Sequence, residues 1–204
     1  MSNRLRLKAD DLSCERGGRL VFKNLNFELA SGELAELRGP NGSGKSSLLR
    51  LLAGLNESSS GQLTFESGID ELTLAEQSHY IGHSEACKPA LTVFENLDFW
   101  AYMLGTPFEP ASLSAFNLEP LADDQVLYLS HGQKRRLALT RLIIAKRQVW
   151  LLDEPMVGLD ATSQSLMQKQ IQIHLSNGGI VIAATHTELG LAVAQTIELG
   201  GATL

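Results

Sequence analysis

Residues 39–52 have the sequence GPNGSGKSSLLRLL, in which a glycine is followed by four residues, by Gly-Lys-Ser and then by a leucine-rich run. This spacing is typical of a phosphate-binding loop. Gly42 and Gly44 allow backbone conformations that side chains disfavour, so that successive N–H groups can turn toward one anion. The helix predicted to begin near Lys45 directs its positive end at the same point. Lys45 would supply an ammonium group for the outer phosphates, and the Ser46 hydroxyl would be a ligand for Mg²⁺.

The sequence on both sides of this loop supports the same interpretation. The preceding GELAELRG, residues 32–39, predicts a strand, and Leu48, Leu51, Leu52 and Leu55 recur at helical spacing after the loop. The alternative is a glycine-rich turn with an incidental lysine, and the strand, loop and helix context argues against it. The residues predicted to contact the phosphates are Gly39, Pro40, Asn41, Gly42, Ser43, Gly44, Lys45, Ser46 and Ser47.

The composition limits the classes of protein that need to be considered. The 204 residues, 44% hydrophobic and 20% charged, suit one globular domain with a small inserted lobe. A net charge of -6 argues against binding nucleic acid through a broad basic face, although a local basic patch stays open. Cys14 and Cys87 are far apart and lack a CxxC partner, which favours reduced cytosolic thiols. The apolar runs are strand-sized, so any membrane role is expected to come through a partner.

The first half of the chain predicts a small antiparallel layer and then a helical insertion. Residues 5–29 alternate between polar and apolar side chains around Arg16-Gly17-Gly18-Arg19, which predicts two antiparallel strands and a tight turn. Glu36 and Arg38 are unexpected in a strand that leads to a phosphate loop, and either a mutual pair or other charged partners would explain them. Residues 91–126 have helical character and interrupt the α/β pattern.

Two polar motifs follow in the second half. Residues 129–133, LSHGQ, begin a helical pattern with Ser130 at an N-cap position and Gln133 three residues later. The apolar run VWLL at residues 149–152 predicts a buried parallel strand, and it ends in Asp153 and Glu154. An acid at that position can hold Mg²⁺, and the next one is placed to polarise an attacking water. A solvated acidic turn is the less favoured alternative.

These motifs together resemble the nucleotide-binding subunits of ATP-binding cassette (ABC) transporters. GPNGSGKSS, the loop after His83, LSHGQ, VWLLDEP and the Gly158-Leu159-Asp160 turn before His186 occur in the order typical of that family. The resemblance implies an ABC-type phosphate-loop ATPase fold, with a RecA-like mostly parallel core sheet, a small antiparallel layer and a helical subdomain. It also implies ATP and Mg²⁺ as ligands.

The resemblance further implies roles for particular residues. Ser130, Gly132 and Gln133 would face the γ-phosphate held by a second copy of the chain, so that two chains enclose two ATP molecules head to tail. A capping box at Ser130 and Gln133 is compatible with this role. His186 would contact the γ-phosphate and its attacking water. With Lys45, Asp153 and Glu154, it forms the predicted catalytic set.

Three positions depart from the usual family pattern. His83 replaces a glutamine that contacts magnesium and the transmembrane partner, and we predict that His83 retains the catalytic and metal-binding role. Arg16 occupies the place of an aromatic residue that stacks on adenine, and a guanidinium group can stack in the same way. His131 stands where glycine is usual, which is tolerable if the helix has already begun.

With these departures included, the chain resembles the haem-exporter ATPase family of bacterial cytochrome c maturation, the CcmA family. That resemblance implies a peripheral subunit on the cytoplasmic face of the inner membrane, bound to integral membrane subunits. ATP hydrolysis would drive release of a haem-loaded chaperone. No CxxCH haem-attachment pattern occurs, so no direct haem site is predicted.

The predicted organisation is a single ABC ATPase domain over residues 1–204. Its catalytic core and β layer would comprise residues 1–83 and 134–204, with a helical subdomain at residues 84–133 that carries LSHGQ. Alternative functions are an ABC transporter with another substrate, a soluble cassette ATPase acting on DNA or ribosomes, and a regulator that does not hydrolyse ATP. Part of a membrane-docking surface is predicted at Phe94, Phe99, Trp100, Tyr102 and Met103, although these side chains also suit a lobe core.

Overall fold

The computed structural model describes residues 5–69 and 71–200, which contain two β-sheets. The smaller sheet is antiparallel, with β1 (Arg6–Arg16) between β2 (Arg19–Ala30) and β4 (Ser60–Glu66). Arg16 pairs with Arg19 around the two glycines, so the predicted hairpin is confirmed. Most apolar side chains of this hairpin are buried in the main hydrophobic core, whereas Leu20 on β2 is exposed.

The larger sheet has five strands that are all parallel among the described residues. In spatial order they are β5 (Ser78–Ile81), β6 (Val149–Asp153), β7 (Ile180–Ala184), β3 (Leu34–Arg38) and β8 (Gln195–Glu198). Every residue of β6 and β7 is buried, as expected for central strands of a parallel sheet. The predicted α/β fold class, with a parallel core sheet and a small antiparallel layer, is confirmed.

Helix α1 (Lys45–Leu52) follows the phosphate loop and packs against β6 and β7. The prediction that Leu55 continues this helix is wrong. Gly54 adopts a φ of 70°, and the Leu55 N–H donates to Arg50 O over 2.8 Å, so the helix ends in a Schellman-type turn. Leu55 is 62% exposed, whereas the three other leucines of the pattern are buried.

Glu36 and Arg38 on β3 pair with each other. Arg38 Nε donates to Glu36 Oε2 over 2.9 Å, and the Glu36 residue is 4% exposed. Residues two apart in a strand project to the same face of the sheet, so Glu36 and Arg38 lie side by side. Ala35 and Leu37 project to the opposite face and enter the main core. The guanidinium group therefore offsets the burial of a carboxylate inside the central sheet.

Residues 91–126, which were predicted to be helical, contain one α-helix and the start of a series of three short 3₁₀ segments, and a second α-helix follows that series. Helix α2 (Val93–Met103) begins with a capping box formed by Thr92 and Glu95. Helix α3 (His131–Ile144) begins with a second capping box, and helix α4 (Ala161–Ser176) precedes β7. No helix in residues 5–69 and 71–200 is long and apolar enough to cross a membrane.

The chain divides into two compact units. The first comprises Met1–Gly82, Arg147–Pro155 and Gln172–Leu204, and it contains both sheets. The second comprises His83–Lys146 and Met156–Ile171, and it contains α2, α3 and most of α4.

His174, near the end of α4, lies flat against the Trp150 ring in the first unit. The two ring centroids are 4.0 Å apart with an interplanar angle of 9°, and His174 Nε2 lies 3.3 Å from Ile180 O. Burial lowers the pKa of His174 to about 4, so the imidazole is neutral in the folded protein at neutral pH. The unfolded chain binds this proton more readily, and folding stability therefore depends on pH.

We expect His174→Phe to remove part of the acid sensitivity of the fold. Because the folded pKa lies below the ordinary value of 6.5, wild-type stability should fall as pH falls from about 6.5 toward 4. The contribution of His174 across this window is roughly 3 kcal/mol. Phenylalanine can retain the stacking without taking up a proton. Urea unfolding at several pH values measures the difference, and equal pH slopes for the two proteins would contradict the prediction.

Candidate nucleotide-binding site

The loop between β3 and α1 has the backbone that the glycine pattern predicts. Gly42 and Gly44 have φ angles of 80° and 103°, and Gly39 has a φ of 146°. A Cβ atom on Gly39 would overlap Leu199 O and Ser43 Oγ, and one on Gly44 would lie 2.5 Å from a Val21 methyl carbon. Glycine is therefore required at Gly39 and Gly44 for steric reasons as well as for conformation.

Lys45 begins α1 and is folded back over the loop. Its Nζ donates to Gly39 O over 2.7 Å and to Pro40 O over 3.1 Å, and the residue is 8% exposed. No side chain of the described residues caps the helix at Gly44, so its first N–H groups stay available to an anion. The buried Ser43 Oγ also lacks a hydrogen-bond partner in the described part of the chain. Unpaired donors beside an ammonium group fit a bound phosphate.

The register of the parallel sheet places the predicted acids beside this loop. Ala184 of β7 pairs with Leu37 of β3 on one side and with Asp153 of β6 on the other. The chain segments that leave these three strands therefore emerge at the same edge of the sheet. Asp153 is buried at the end of β6 and Glu154 follows it directly.

Glu154 has a backbone conformation that the sequence does not indicate. Its φ angle is 50°, in the left-handed region that favours glycine, and its N–H donates to Ala184 O over 2.9 Å. This bond extends the β6–β7 pairing past Asp153 and turns the chain at the sheet edge. Strained backbone of this kind is concentrated at functional sites.

His186 lies close to Glu154 within the first unit. His186 Nε2 is 3.6 Å from Glu154 Oε1, and the His186 side chain is 49% exposed. Thr185 shapes the turn that presents the imidazole: its Oγ1 donates to Thr187 O over 2.7 Å and accepts from the Thr187 N–H over 3.1 Å. Sequence analysis missed Thr185, although a hydroxyl residue directly after a buried strand is a signal for such a turn.

The LSHGQ residues form the beginning of α3 in the second unit. Gln133 N donates to Ser130 Oγ over 3.3 Å, and Ser130 N donates to Gln133 Oε1 over 2.7 Å, so the capping box is present. A Cβ atom on Gly132 would lie 3.1 Å from Gly158 O. His131 is the first residue of the helix. A side chain in place of the usual glycine was predicted to be tolerable if the helix had already begun at this position, and it has.

The remaining predicted residues lie at exposed positions. Arg16 ends β1 in the first unit, and His83 opens the second unit. Within the first unit, the sheet edge thus brings together the phosphate loop, Asp153, Glu154 and His186. The roles of Arg16 and His83 stay predictions.

The chemistry of the donors fits Mg²⁺ bound together with a nucleotide. Within residues 5–69 and 71–200, no three His, Cys, Asp or Glu side chains are gathered as in an all-protein metal site. Magnesium instead prefers one or two carboxylate or hydroxyl ligands together with substrate phosphates and water. Asp153 at the strand end and Ser46 in the first turn of α1 supply ligands of that kind.

Comparison with known proteins agrees with this geometry. The family model described as ABC transporter matches residues 22–157. A cytochrome c biogenesis ATP-binding export protein CcmA from Nitrobacter winogradskyi is 50% identical over 200 residues, covering 97% of this chain and all of that protein. The protein of the same name from Bradyrhizobium diazoefficiens is 46% identical over 199 residues, covering 97% of this chain and 99% of that protein.

Solved structures support the fold independently. A putative ABC transporter ATP-binding protein from Pyrococcus furiosus superposes with a TM-score of 0.81 at 22% identity, covering 95% of this chain and 97% of that one. An ATP-binding subunit of an ABC transporter gives a TM-score of 0.76 at 24% identity, covering 88% and 79%.

The phosphate loop, the parallel sheet and the acidic strand end define a phosphate-loop nucleotide hydrolase, and the family match over residues 22–157 places it in the ABC class. The chain belongs to the ABC transporter family and, within it, to the family of cytochrome c biogenesis ATP-binding export proteins. It is accordingly the ATP-hydrolysing subunit of an ABC transporter, and it binds a nucleotide.

Proposed function

We propose that this chain hydrolyses ATP to drive an export step of cytochrome c biogenesis, which is the process that appears in the names of its relatives. The observation that supports the hydrolytic role best is the approach of His186 Nε2 to Glu154 Oε1 beside the phosphate loop. Glu154 would accept a proton from the attacking water, and His186 would hold that water and the γ-phosphate. The Lys45 ammonium group would give up its hydrogen bonds to the Gly39 and Pro40 carbonyl oxygens and donate to phosphate oxygens instead.

Magnesium would be held by Ser46 and Asp153, with His83 contributing directly or through water. When bound, the ion neutralises charge on the phosphates during transfer. The exposed guanidinium group of Arg16 would stack on the adenine base. The loop residues Gly39, Pro40, Asn41, Gly42, Ser43, Gly44 and Ser47 would surround the phosphates with backbone and hydroxyl donors.

The complete hydrolytic site would form between two copies of the chain. Ser130, Gly132 and Gln133 of one copy would face the γ-phosphate held by the loop of the other. Support comes from the position of Ser130 at the N-terminus of a 14-residue helix, where the helix dipole and the N–H groups that the capping box leaves unpaired favour an anion. Residues 84–133 would serve as the helical subdomain, and residues 1–83 and 134–204 as the catalytic core.

The chain would work on the cytoplasmic face of the bacterial inner membrane, held there by integral membrane subunits. Its net charge of -6 argues against nucleic acid as the partner. Hydrolysis would be coupled to haem export or to release of a haem-loaded chaperone, with haem itself handled by the partners.

Affinity purification from cell membranes tests this function. Wild-type chain should retain integral membrane subunits, and cells carrying Lys45→Ala in its place should accumulate haem-loaded chaperone. Copurification with permease subunits but no change in haem loading would indicate another transported substrate. Recovery of ribosomes or DNA without membrane subunits would indicate a soluble cassette ATPase and would contradict the proposal.

A further inference from the structure

His131, the first residue of α3, lies between two other segments of the second unit. Its Nδ1 atom is 3.4 Å from Glu85 Oε1 on the loop after β5. A Cβ atom added to Gly158 would lie 2.9 Å from both Nε2 and Cδ2 of the ring, so the imidazole packs against the turn before α4. A ring nitrogen that carries a proton attracts a carboxylate, and both the imidazolium and one neutral tautomer carry a proton on Nδ1. We call these three residues the His131 junction: Glu85, His131 and Gly158.

The loop that carries Glu85 is fixed independently of His131. The Lys88 N–H donates to Asn96 Oδ1 over 2.8 Å, and Asn96 Nδ2 donates back to Lys88 O over 3.0 Å, with Asn96 completely buried in α2. Ala86 has a φ of 52°, a left-handed conformation that a residue with a side chain keeps only where its surroundings impose it. The Glu85 carboxylate is therefore a defined point against which the start of α3 can be set.

The turn at Gly158 is a second defined point. The Leu159 N–H donates to Met156 O over 3.3 Å, and the Gln164 side-chain amide donates to Leu159 O over 3.1 Å, which ties the turn to α4. Gly158 O also lies 3.1 Å from the position that a Cβ atom on Gly132 would take. The turn thus packs against both of the first two residues of α3.

The first turn of α3 has little else to place it. Arg135 is the first residue of the helix that is buried, whereas Ser130 and His131 are exposed. The capping box joins Ser130 to Gln133, so it shapes the turn without setting it against other segments. A misplacement of about 1 Å near a reacting phosphate can lower a rate about a hundredfold. Contacts that place this turn should therefore affect the rate of hydrolysis.

We propose, on the basis of the proposed function, that His131 is a positioning residue for ATP hydrolysis. Its imidazole sets the start of α3 between the Glu85 carboxylate and the Gly158 turn. Ser130 and Gly132 then present their donors at the γ-phosphate held by the second copy, and the ring itself acts only through their placement. Gly158 is matched to this histidine, because a side chain at residue 158 would occupy the space of the ring.

A double-substitution cycle tests the contact with Glu85, with ATP turnover measured at saturating ATP on transporter assembled in membranes. His131→Ala should lower turnover about tenfold, and Glu85→Ala should do the same. The two together should lower it about tenfold and not about a hundredfold, because both remove one contact. Glu109→Ala removes an exposed glutamate of the same unit and should leave turnover unchanged. Independent, multiplying losses from the two substitutions would overturn the proposal.

Two further measurements separate positioning from a purely structural role. The His131 side chain is 69% exposed, so its loss should leave the melting temperature almost unchanged. ATP affinity of the isolated chain should also persist, because the phosphate loop lies in the first unit. His131→Gln retains an N–H donor for Glu85 and should recover most of the turnover. A fall in melting temperature that parallels the lost turnover, or no recovery in His131→Gln, would overturn the proposal.

The contact with Gly158 gives a second cycle. Gly158→Ala should lower turnover in the wild-type background, where the new methyl group meets the His131 ring, and should cost less beside His131→Ala. Gly105→Ala is the matched control, because Gly105 has a φ of 69°, near the 79° of Gly158, and an added Cβ meets none of the described residues within 4 Å. Equal losses from Gly158→Ala in the two backgrounds would overturn the proposed match.

Failure of this inference is distinguishable from failure of the proposed function. Wild-type transporter that hydrolyses no ATP would contradict the proposed function and this inference with it. Wild-type hydrolysis in which His131→Ala and Glu85→Ala act independently would contradict only the positioning role of His131.

Discussion

Replacing Glu154 by glutamine is expected to lower the ATPase rate by about a hundredfold to ten-thousandfold, the usual contribution of a general base. Glutamine has nearly the same shape, so the backbone N–H bond to Ala184 O and the turn at φ 50° should persist. The amide can still lie beside His186 but cannot accept a proton from water. ATP should therefore bind normally, and the chain should accumulate as an ATP-bound dimer.

Phosphate release and size-exclusion chromatography with ATP measure the two effects. Glu188→Gln is a suitable control because Glu188 is exposed on the segment after His186 and the substitution makes the same charge change. The control should hydrolyse ATP at nearly the wild-type rate. Wild-type turnover by Glu154→Gln would show that Glu154 is not the base.

Lys45→Ala is expected to lose both ATP affinity and turnover, with a rate loss on the order of a hundredfold or more. Lys45 is the residue whose ammonium group already occupies the loop, where it bonds to Gly39 O and Pro40 O. Without it, those carbonyl oxygens would face the negatively charged phosphates with no cation between them. Equilibrium binding of a fluorescent ATP analogue measures the affinity loss, and wild-type affinity with unchanged turnover would contradict it.

Local features of the fold were predictable because their causes are local. The phosphate loop follows from glycines whose positive φ angles few other residues adopt. The capping boxes at Thr92 and Ser130 follow from hydrogen bonds that span three residues. The buried strand β6 follows from four consecutive apolar residues before Asp153.

Features that depend on tertiary contacts were not predictable from the sequence. The order of the parallel strands arises from pairing between segments far apart in the chain, and apolar runs identify strands without identifying their neighbours. Glu154 takes a glycine-like φ because its N–H meets Ala184 O, thirty residues away along the chain. The Arg141 and Trp100 contact likewise joins two helices.

Charge pairing was only partly predictable. Glu36 and Arg38 lie two residues apart and so share one face of β3, which makes a mutual pair one of the options from the sequence alone. The choice among partners depended on which other charges reach that face. In the structure, Arg38 Nε bonds to Glu36 Oε2 and settles this choice.

Mixing two inactive variants tests most directly whether hydrolysis needs a site shared by two chains. Ser130→Asp retains an N-cap oxygen but sets a carboxylate against the γ-phosphate, while Lys45→Ala disables the loop. Transporter assembled in cells that produce both variants should regain about a quarter of wild-type ATPase activity, since half the dimers are mixed and each has one intact site of two. Each variant alone should be inactive. Activity of Ser130→Asp alone, or no recovery in the mixed assembly, would contradict a shared site.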